Sequence, residues 1–138
     1  MEINELYKLA ENRNVTVDFF PLAEVEALTL EQGGKHYIAL SKKISTESDE
    51  KVALAHELGH VCTLSLYSPD SPADKVRTSE RSADRWAVEK LVPLADLVAA
   101  IKGGDESISA LSERFSVSEE FMQKVFIHYC ENFVPSGI

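Results

Sequence analysis

The spacing of apolar residues separates a strand-forming first part of the chain from a helical remainder. Apolar residues at helical spacing predict a first helix over residues 2–12. Three short runs of strand-forming character then predict strands at residues 15–20, 26–31 and 36–40. Gly33-Gly34 stands between the last two runs and is typical of a hairpin turn. We therefore expect a small antiparallel sheet of about three strands, arranged as a meander.

Helical spacing dominates from residue 48 onward. It predicts five further helices, over residues 48–66, 79–92, 94–101, 107–115 and 118–131. The last residues, 134–138, are expected to fray. The order of these elements predicts an α+β fold, in which a small antiparallel sheet packs on the first long helix and an all-helical C-terminal part follows.

The length of the chain, 138 residues, is the usual size of one domain. We expect a single domain in three parts. Residues 1–47 would form the first helix and the meander, residues 48–93 a pair of long helices, and residues 94–138 the C-terminal helices.

Charge and hydropathy narrow the environments in which the protein can act. The formal net charge of −9 argues against general attraction to nucleic acid or to anionic membranes, so we expect neither as a partner. No apolar run approaches the ~20 residues that cross a bilayer. The acidic N-terminus also lacks the basic residues and apolar stretch of a secretory signal. We expect a cytoplasmic protein.

The first long helix contains the motif His56-Glu57-Leu58-Gly59-His60. Residues four apart on a helix lie one above the other, so His56 and His60 can direct two imidazoles at one metal ion. Glu57 would flank that ion without binding it, which suits a base that takes a proton from a metal-activated water. The motif therefore predicts a metal-dependent hydrolase.

Helical phase places these histidines away from the apolar side of their helix. Leu54, Leu58 and Cys62 share one face, and His56 and His60 fall on the opposite one. The histidines should therefore face a cleft or another packed layer. Glycine is a poor helix former, so Gly59 within this helix needs a reason, and close approach of a neighbouring element is one.

A catalytic zinc takes three protein ligands and leaves a fourth position to water. Glu80 is the best candidate for the third ligand because it opens the next predicted helix, across a loop long enough to reverse direction. Asp84 follows one turn later and fits a carboxylate that accepts the free N–H of His56 or His60. His36 and His128 remain rivals for the third position.

Residues 52–93 resemble the ImmA/IrrE family of metallopeptidases. The matching stretches are Leu54 to His60 (LAHELGH) and Glu80 to Pro93 (ERSADRWAVEKLVP). The resemblance implies a gluzincin-like site with one Zn²⁺ per chain. It implies His56, His60 and Glu80 as the ligands and Glu57 as the catalytic acid/base. Relatives are commonly encoded by prophages and conjugative elements, where they cleave or antagonise a helix-turn-helix repressor.

Together with the motif, the resemblance implies hydrolysis of a peptide bond in a regulatory protein, such as a transcriptional repressor of a phage or mobile element. The substrate could pair as an added edge strand with Tyr37, Ile38, Ala39 and Leu40. A further donor to the oxyanion is expected, and the possibilities are Tyr67, His128 and Tyr129.

Alternatives to this interpretation remain open. The chain could bind a partner without cutting it, as an anti-repressor or in a toxin–antitoxin pair, and use its metal structurally. The helices of residues 107–128 resemble a helix-turn-helix, but two carboxylates open the second helix and would repel phosphates. A site of two histidines and a glutamate also accepts manganese, iron or cobalt.

Overall fold

The structure is a computed structural model that describes residues 1–105 and 107–132. Within these residues, three strands and six helices follow in the order α1 (Ile3–Asn12), β1 (Val15–Phe20), β2 (Ala27–Gln32), β3 (Lys35–Ser41), α2 (Glu47–Cys62), α3 (Ala73–Leu91), α4 (Leu94–Lys102), α5 (Ile108–Phe115) and α6 (Glu119–Asn132). The α+β class is confirmed. The expectation for residues 134–138 lies outside the described residues. Within the described part of the chain, no helix has the length and apolar character needed to cross a bilayer.

Two helix boundaries differ from the sequence prediction by more than one residue. α2 ends at Cys62, four residues early, because Leu64 adopts a left-handed conformation with φ of 54° and turns the chain. α3 begins at Ala73, directly after Pro72 and six residues earlier than predicted. Most of residues 73–78 are exposed, so this first part of α3 carries no apolar periodicity that would reveal a helix.

The sheet has the strand order β1-β3-β2 and is mixed, so the prediction of an antiparallel meander is wrong in part. β2 and β3 do form the expected hairpin, with Gly33 and Gly34 at φ of 60° and 80° in its turn. β1 instead runs parallel to β3. In this register Val15 and Val17 share a face with Ile38, which buries the apolar side of β1 in the common core. The alternation of apolar residues specifies that face but not the direction of the neighbouring strand.

β3 is therefore the central strand, which makes the predicted substrate edge at Tyr37, Ile38, Ala39 and Leu40 wrong. Each of these four residues has a partner on both sides, in β1 and in β2. The backbone groups of a central strand are already used in the two ladders and cannot pair with a substrate. β2 is an edge of this sheet, and it packs against α2.

α2 and α3 pack closely at Gly59. A Cβ atom at this position would lie 2.6 Å from the carbonyl oxygen of Ala83 and 2.9 Å from its Cα. Ala83 and Ala87 are fully buried in the same contact. The close approach of α3 therefore requires a glycine at this position. Such an approach was the reason that the sequence suggested for Gly59.

The C-terminal helices are attached to α2 by a buried lysine. The Lys51 side chain is 2% exposed, and its Nζ donates a hydrogen bond of 2.7 Å to the carbonyl oxygen of Phe115. Burial lowers the pKa of this amine from its usual value, against the opposing effect of nearby carboxylates. Ser116 then turns the chain with φ of 55°. The bond thus fixes the turn from which α6 starts.

Candidate metal centre

The structure brings His56, His60 and Glu80 together, with one possible ligand atom from each lying within 4.8 Å of the others. Nε2 of His56 is 2.7 Å from Oε2 of Glu80, and Nε2 of His60 is 3.3 Å from Oε1 of the same carboxylate. The rivals for the third position lie elsewhere. His36 is beside Glu31 and His128 beside Glu89.

The second nitrogen of each imidazole is held by a hydrogen-bond acceptor. Nδ1 of His56 lies 2.8 Å from Oδ1 of Asp84, and Nδ1 of His60 lies 3.0 Å from the backbone carbonyl oxygen of Ser65. A carboxylate and a carbonyl can only accept, so each Nδ1 must carry the hydrogen. In a neutral imidazole the lone pair is then on Nε2, which in both residues faces Glu80.

Three acceptor groups therefore converge in the centre, namely the two Nε2 atoms and the carboxylate of Glu80. Such a group is stable only when a cation lies among them, either protons or a metal ion. Tetrahedral zinc at ~2.0–2.1 Å from its ligands would separate the ligand atoms by about 3.3 Å. Nε2 of His56 lies 2.7 Å from Oε2 of Glu80 and Nε2 of His60 lies 3.3 Å from Oε1, so the three groups are gathered closely enough for one ion to reach them, with His56 and Glu80 moving slightly apart. The residues present fit a zinc ion.

The pKa values of His56 and Glu80 are shifted by the charged and polar groups that crowd the centre. Burial alone would lower the pKa of the His56 imidazole, but the hydrogen bond and charge of Asp84, with the charges of Glu57 and Glu80, raise it. Burial alone would raise the pKa of Glu80, but the Tyr67 hydroxyl and the two histidines keep it below its usual value. Both shifts favour the charged forms, so the centre is built to hold opposite charges together.

Asp84 connects the centre to α6. Its carboxylate accepts from His56 and also lies 3.4 Å from Nζ of Lys124. Burial acts to raise the pKa of Asp84, but the His56 hydrogen bond and the Lys124 charge keep it below its usual value. The structure therefore pairs Asp84 with His56, one of the two histidines for which the sequence suggested it.

Glu57 is buried beside the three acceptor groups, where only 8% of its surface is exposed. Its Oε1 accepts a hydrogen bond of 2.7 Å from the hydroxyl of Thr29, a residue of β2. Glu57 lines two cavities that both include Glu80, with volumes of about 420 Å³ and about 210 Å³. The carboxylate is thus fixed where a water and a substrate could both reach it.

The turn after α2 supplies partners for two of the three candidate ligands. Leu64 and Ser65 close the helix by donating their N–H groups to the carbonyl oxygens of Val61 and His60, at 3.3 and 2.9 Å. This places the Ser65 carbonyl against the His60 ring. Two residues later, the hydroxyl of Tyr67 donates to Oε1 of Glu80 at 2.6 Å.

Only one of the three suggested oxyanion donors lies at the centre. Tyr67 lines both cavities, and its ring packs edge-on against His60 with centroids 5.9 Å apart. The hydrogen bond to Glu80, with burial, raises the pKa of Tyr67 to about 12. Tyr129 donates instead to the carbonyl oxygen of Val92, and His128 lies beside Glu89, so neither faces these cavities.

The larger cavity is a cleft between β2 and the start of α6. The chain leading into β2 forms one wall through Val25 and Glu26, and α6 forms the other through Glu120 and Phe121. The first turn of α6, which resembled the start of a recognition helix, thus faces this cleft.

Sequence reasoning missed Thr29, Ser65 and Lys124. Thr29 and Lys124 act from elements distant in sequence, and Ser65 acts through its backbone carbonyl. The one available signal was a polar residue between two leucines in the second strand, at Thr29.

One comparison with known proteins, against models of protein families, agrees with a metal centre at this position. The family described as Peptidase_M78, the IrrE N-terminal-like domain, matches residues 10–125. The match includes the whole sheet, the HExxH helix α2, and α3 with Glu80 and Asp84. None of the curated proteins compared with the chain matches it.

We predict that Asp84→Asn weakens zinc binding by about 10–100-fold, because the amide no longer offers a negatively charged acceptor to the N–H of His56. Competition with a chromogenic chelator measures the affinity. The matched control is Asp74→Asn, since Asp74 is an exposed residue of the same helix whose carboxylate pairs with Arg77. Equal zinc affinities for the wild type and Asp84→Asn would contradict the role of Asp84.

Proposed function

The chain belongs to the IrrE N-terminal-like family of metallopeptidases, and on that premise we propose that it is a zinc-dependent endopeptidase. The observation that carries the proposal is the convergence of three acceptor groups, from His56, His60 and Glu80, beside a buried carboxylate. A purely structural zinc site usually has four protein ligands. Three ligands with an adjacent Glu57 are instead typical of a hydrolytic centre.

Glu57 would act as the general base and then as the general acid. A zinc ion in the centre would supply Lewis acidity and lower the pKa of a bound water to about 7. Glu57 would take the proton of the attacking water and deliver it to the leaving amine. The Thr29 hydroxyl has one hydrogen and gives it to Oε1, which leaves Oε2 free to carry the transferred proton.

The open edge of β2 is the best candidate for substrate binding. The Ser41 N–H donates to the carbonyl oxygen of Glu26, so the backbone groups of Glu26 point toward β3. In an antiparallel pair this direction alternates along the strand, so Leu28 and Leu30 also point their backbone groups toward β3. The backbone groups of Ala27 and Thr29 then point to the free edge. Both residues line the cavity of about 210 Å³ beside Glu57. An extended peptide that paired there would lie along the centre.

We further propose that the substrate is a regulatory protein, such as a helix-turn-helix repressor of a phage or mobile element. Support comes from the resemblance to the ImmA/IrrE family, whose members act on such repressors. The smaller cavity also suits an extended segment better than a folded domain, because the free β2 edge along it offers backbone pairing.

Glu57→Gln tests the hydrolytic role. We expect it to abolish cleavage and to leave zinc content and partner binding unchanged, because the amide keeps the shape but cannot accept a proton. Cleavage is measured as new protein termini, detected by mass spectrometry after incubation with a host lysate and with purified helix-turn-helix repressors. The control is Glu113→Gln, on the exposed side of α5. Unchanged cleavage by Glu57→Gln would contradict the mechanism, and no cleavage by the wild type would favour the partner-binding alternative.

Ala27→Pro tests the substrate edge. Proline removes the outward N–H of Ala27 without removing a bond to β3, so we expect KM to rise while the stability to urea changes little. The matched control is Glu31→Pro, the same change on the same edge but four residues, or about 13 Å, further along. Equal KM values for Ala27→Pro and the wild type would contradict pairing at this edge.

A further inference from the structure

The two oxygens of the Glu80 carboxylate have different surroundings. Oε2 lies 2.7 Å from Nε2 of His56. Oε1 lies 3.3 Å from Nε2 of His60 and accepts the hydroxyl of Tyr67 at 2.6 Å, a short bond of the kind that an ionised acceptor makes. Tyr67 is therefore bonded to a candidate metal ligand and not to a neighbouring surface group.

The number of oxygens that Glu80 offers would decide whether the centre can hold a water. Carboxylates bind metals through one oxygen or through two. Two histidines and a two-oxygen carboxylate already supply four ligand atoms, which fills a tetrahedral zinc site. A one-oxygen carboxylate supplies three in total and keeps the fourth position for water, as hydrolysis requires.

The position of Tyr67 is fixed by the same turn that orients His60. Leu64 adopts the left-handed conformation that ends α2, although its side chain is 88% exposed and buries almost no apolar surface. The turn is held by the bond from the Ser65 N–H to the His60 carbonyl and by the contact between Nδ1 of His60 and the Ser65 carbonyl. The Tyr67 ring then packs edge-on against His60. The hydroxyl is thus held in place before any substrate arrives.

We propose that Tyr67 is a positioning residue that occupies one oxygen of Glu80, so that Glu80 offers the metal a single oxygen and one coordination position stays free for water. This inference rests on the proposed function, because it assigns a role to Tyr67 within the same metal centre.

The test compares the cobalt(II) forms of the wild type and Tyr67→Phe. Cobalt replaces zinc in such sites, and its visible absorption weakens when the number of ligand atoms rises. We expect Tyr67→Phe to bind one cobalt per chain, as the wild type does, with an absorption band several-fold weaker. Activity should fall by about 10–100-fold, mainly in kcat. The control is Tyr37→Phe, which removes an exposed hydroxyl from the central strand β3.

Glu80→His provides a background in which the proposed effect cannot occur, because an imidazole offers one ligand atom only. In that background we expect Tyr67→Phe to leave the cobalt spectrum unchanged. Identical spectra of Tyr67→Phe and the wild type would overturn the inference alone. A change of equal size in the Glu80→His background would do the same. Failure of the wild type to bind cobalt or zinc would overturn the proposed function and this inference with it.

Discussion

Three hydrogen-bond acceptor groups meet at one point in this protein, and the surrounding structure keeps them there. When neutral, the imidazoles of His56 and His60 would turn away from the Glu80 carboxylate if their Nδ1 atoms were free, because lone pairs repel a negative charge. Asp84 and the Ser65 carbonyl prevent that rotation by accepting both Nδ1 hydrogens. A cation is the natural occupant of the resulting space.

The fold delivers these groups through contacts that leave little freedom. α3 approaches α2 so closely at Gly59 that a single methyl group would meet the backbone of Ala83. This contact lies within one turn of both His60 and Glu80, so it sets the distance between them. β2 contributes from the other side, where Thr29 holds Glu57 beside the centre. The same strand presents its free edge to the smaller cavity, so under the proposed function one element would both bind the substrate and orient the base.

The sequence predicted the parts of the centre that follow from local spacing. The interval between His56 and His60 defines two ligands on one helix face, and Gly59 already indicated a close neighbour. Glu80 and Asp84 were identified as candidate site residues because they lie one turn apart on the same face of the next predicted helix. The α+β class followed from the order of the periodic segments.

Other features depend on interactions that local spacing does not encode. β1 pairs with β3 and not with β2, and this choice of partner makes β3 the central strand and β2 an edge. The contact of Thr29 with Glu57 depends on the strand order, so it could not be predicted from local spacing. The role of the Ser65 carbonyl cannot be recognised from the sequence, because it belongs to the backbone. Any residue that allows the turn would supply the same carbonyl.

Elemental analysis of tag-free protein tests the central claim most directly, in the wild type and in His56→Ala, His60→Ala and Glu80→Ala. Each substitution removes one of the three converging acceptor groups, while the unfolding midpoint in urea shows whether the fold survives. The account predicts about one zinc per wild-type chain and loss or marked weakening of binding in all three folded variants. A wild type that binds no metal even after reconstitution with zinc would contradict it.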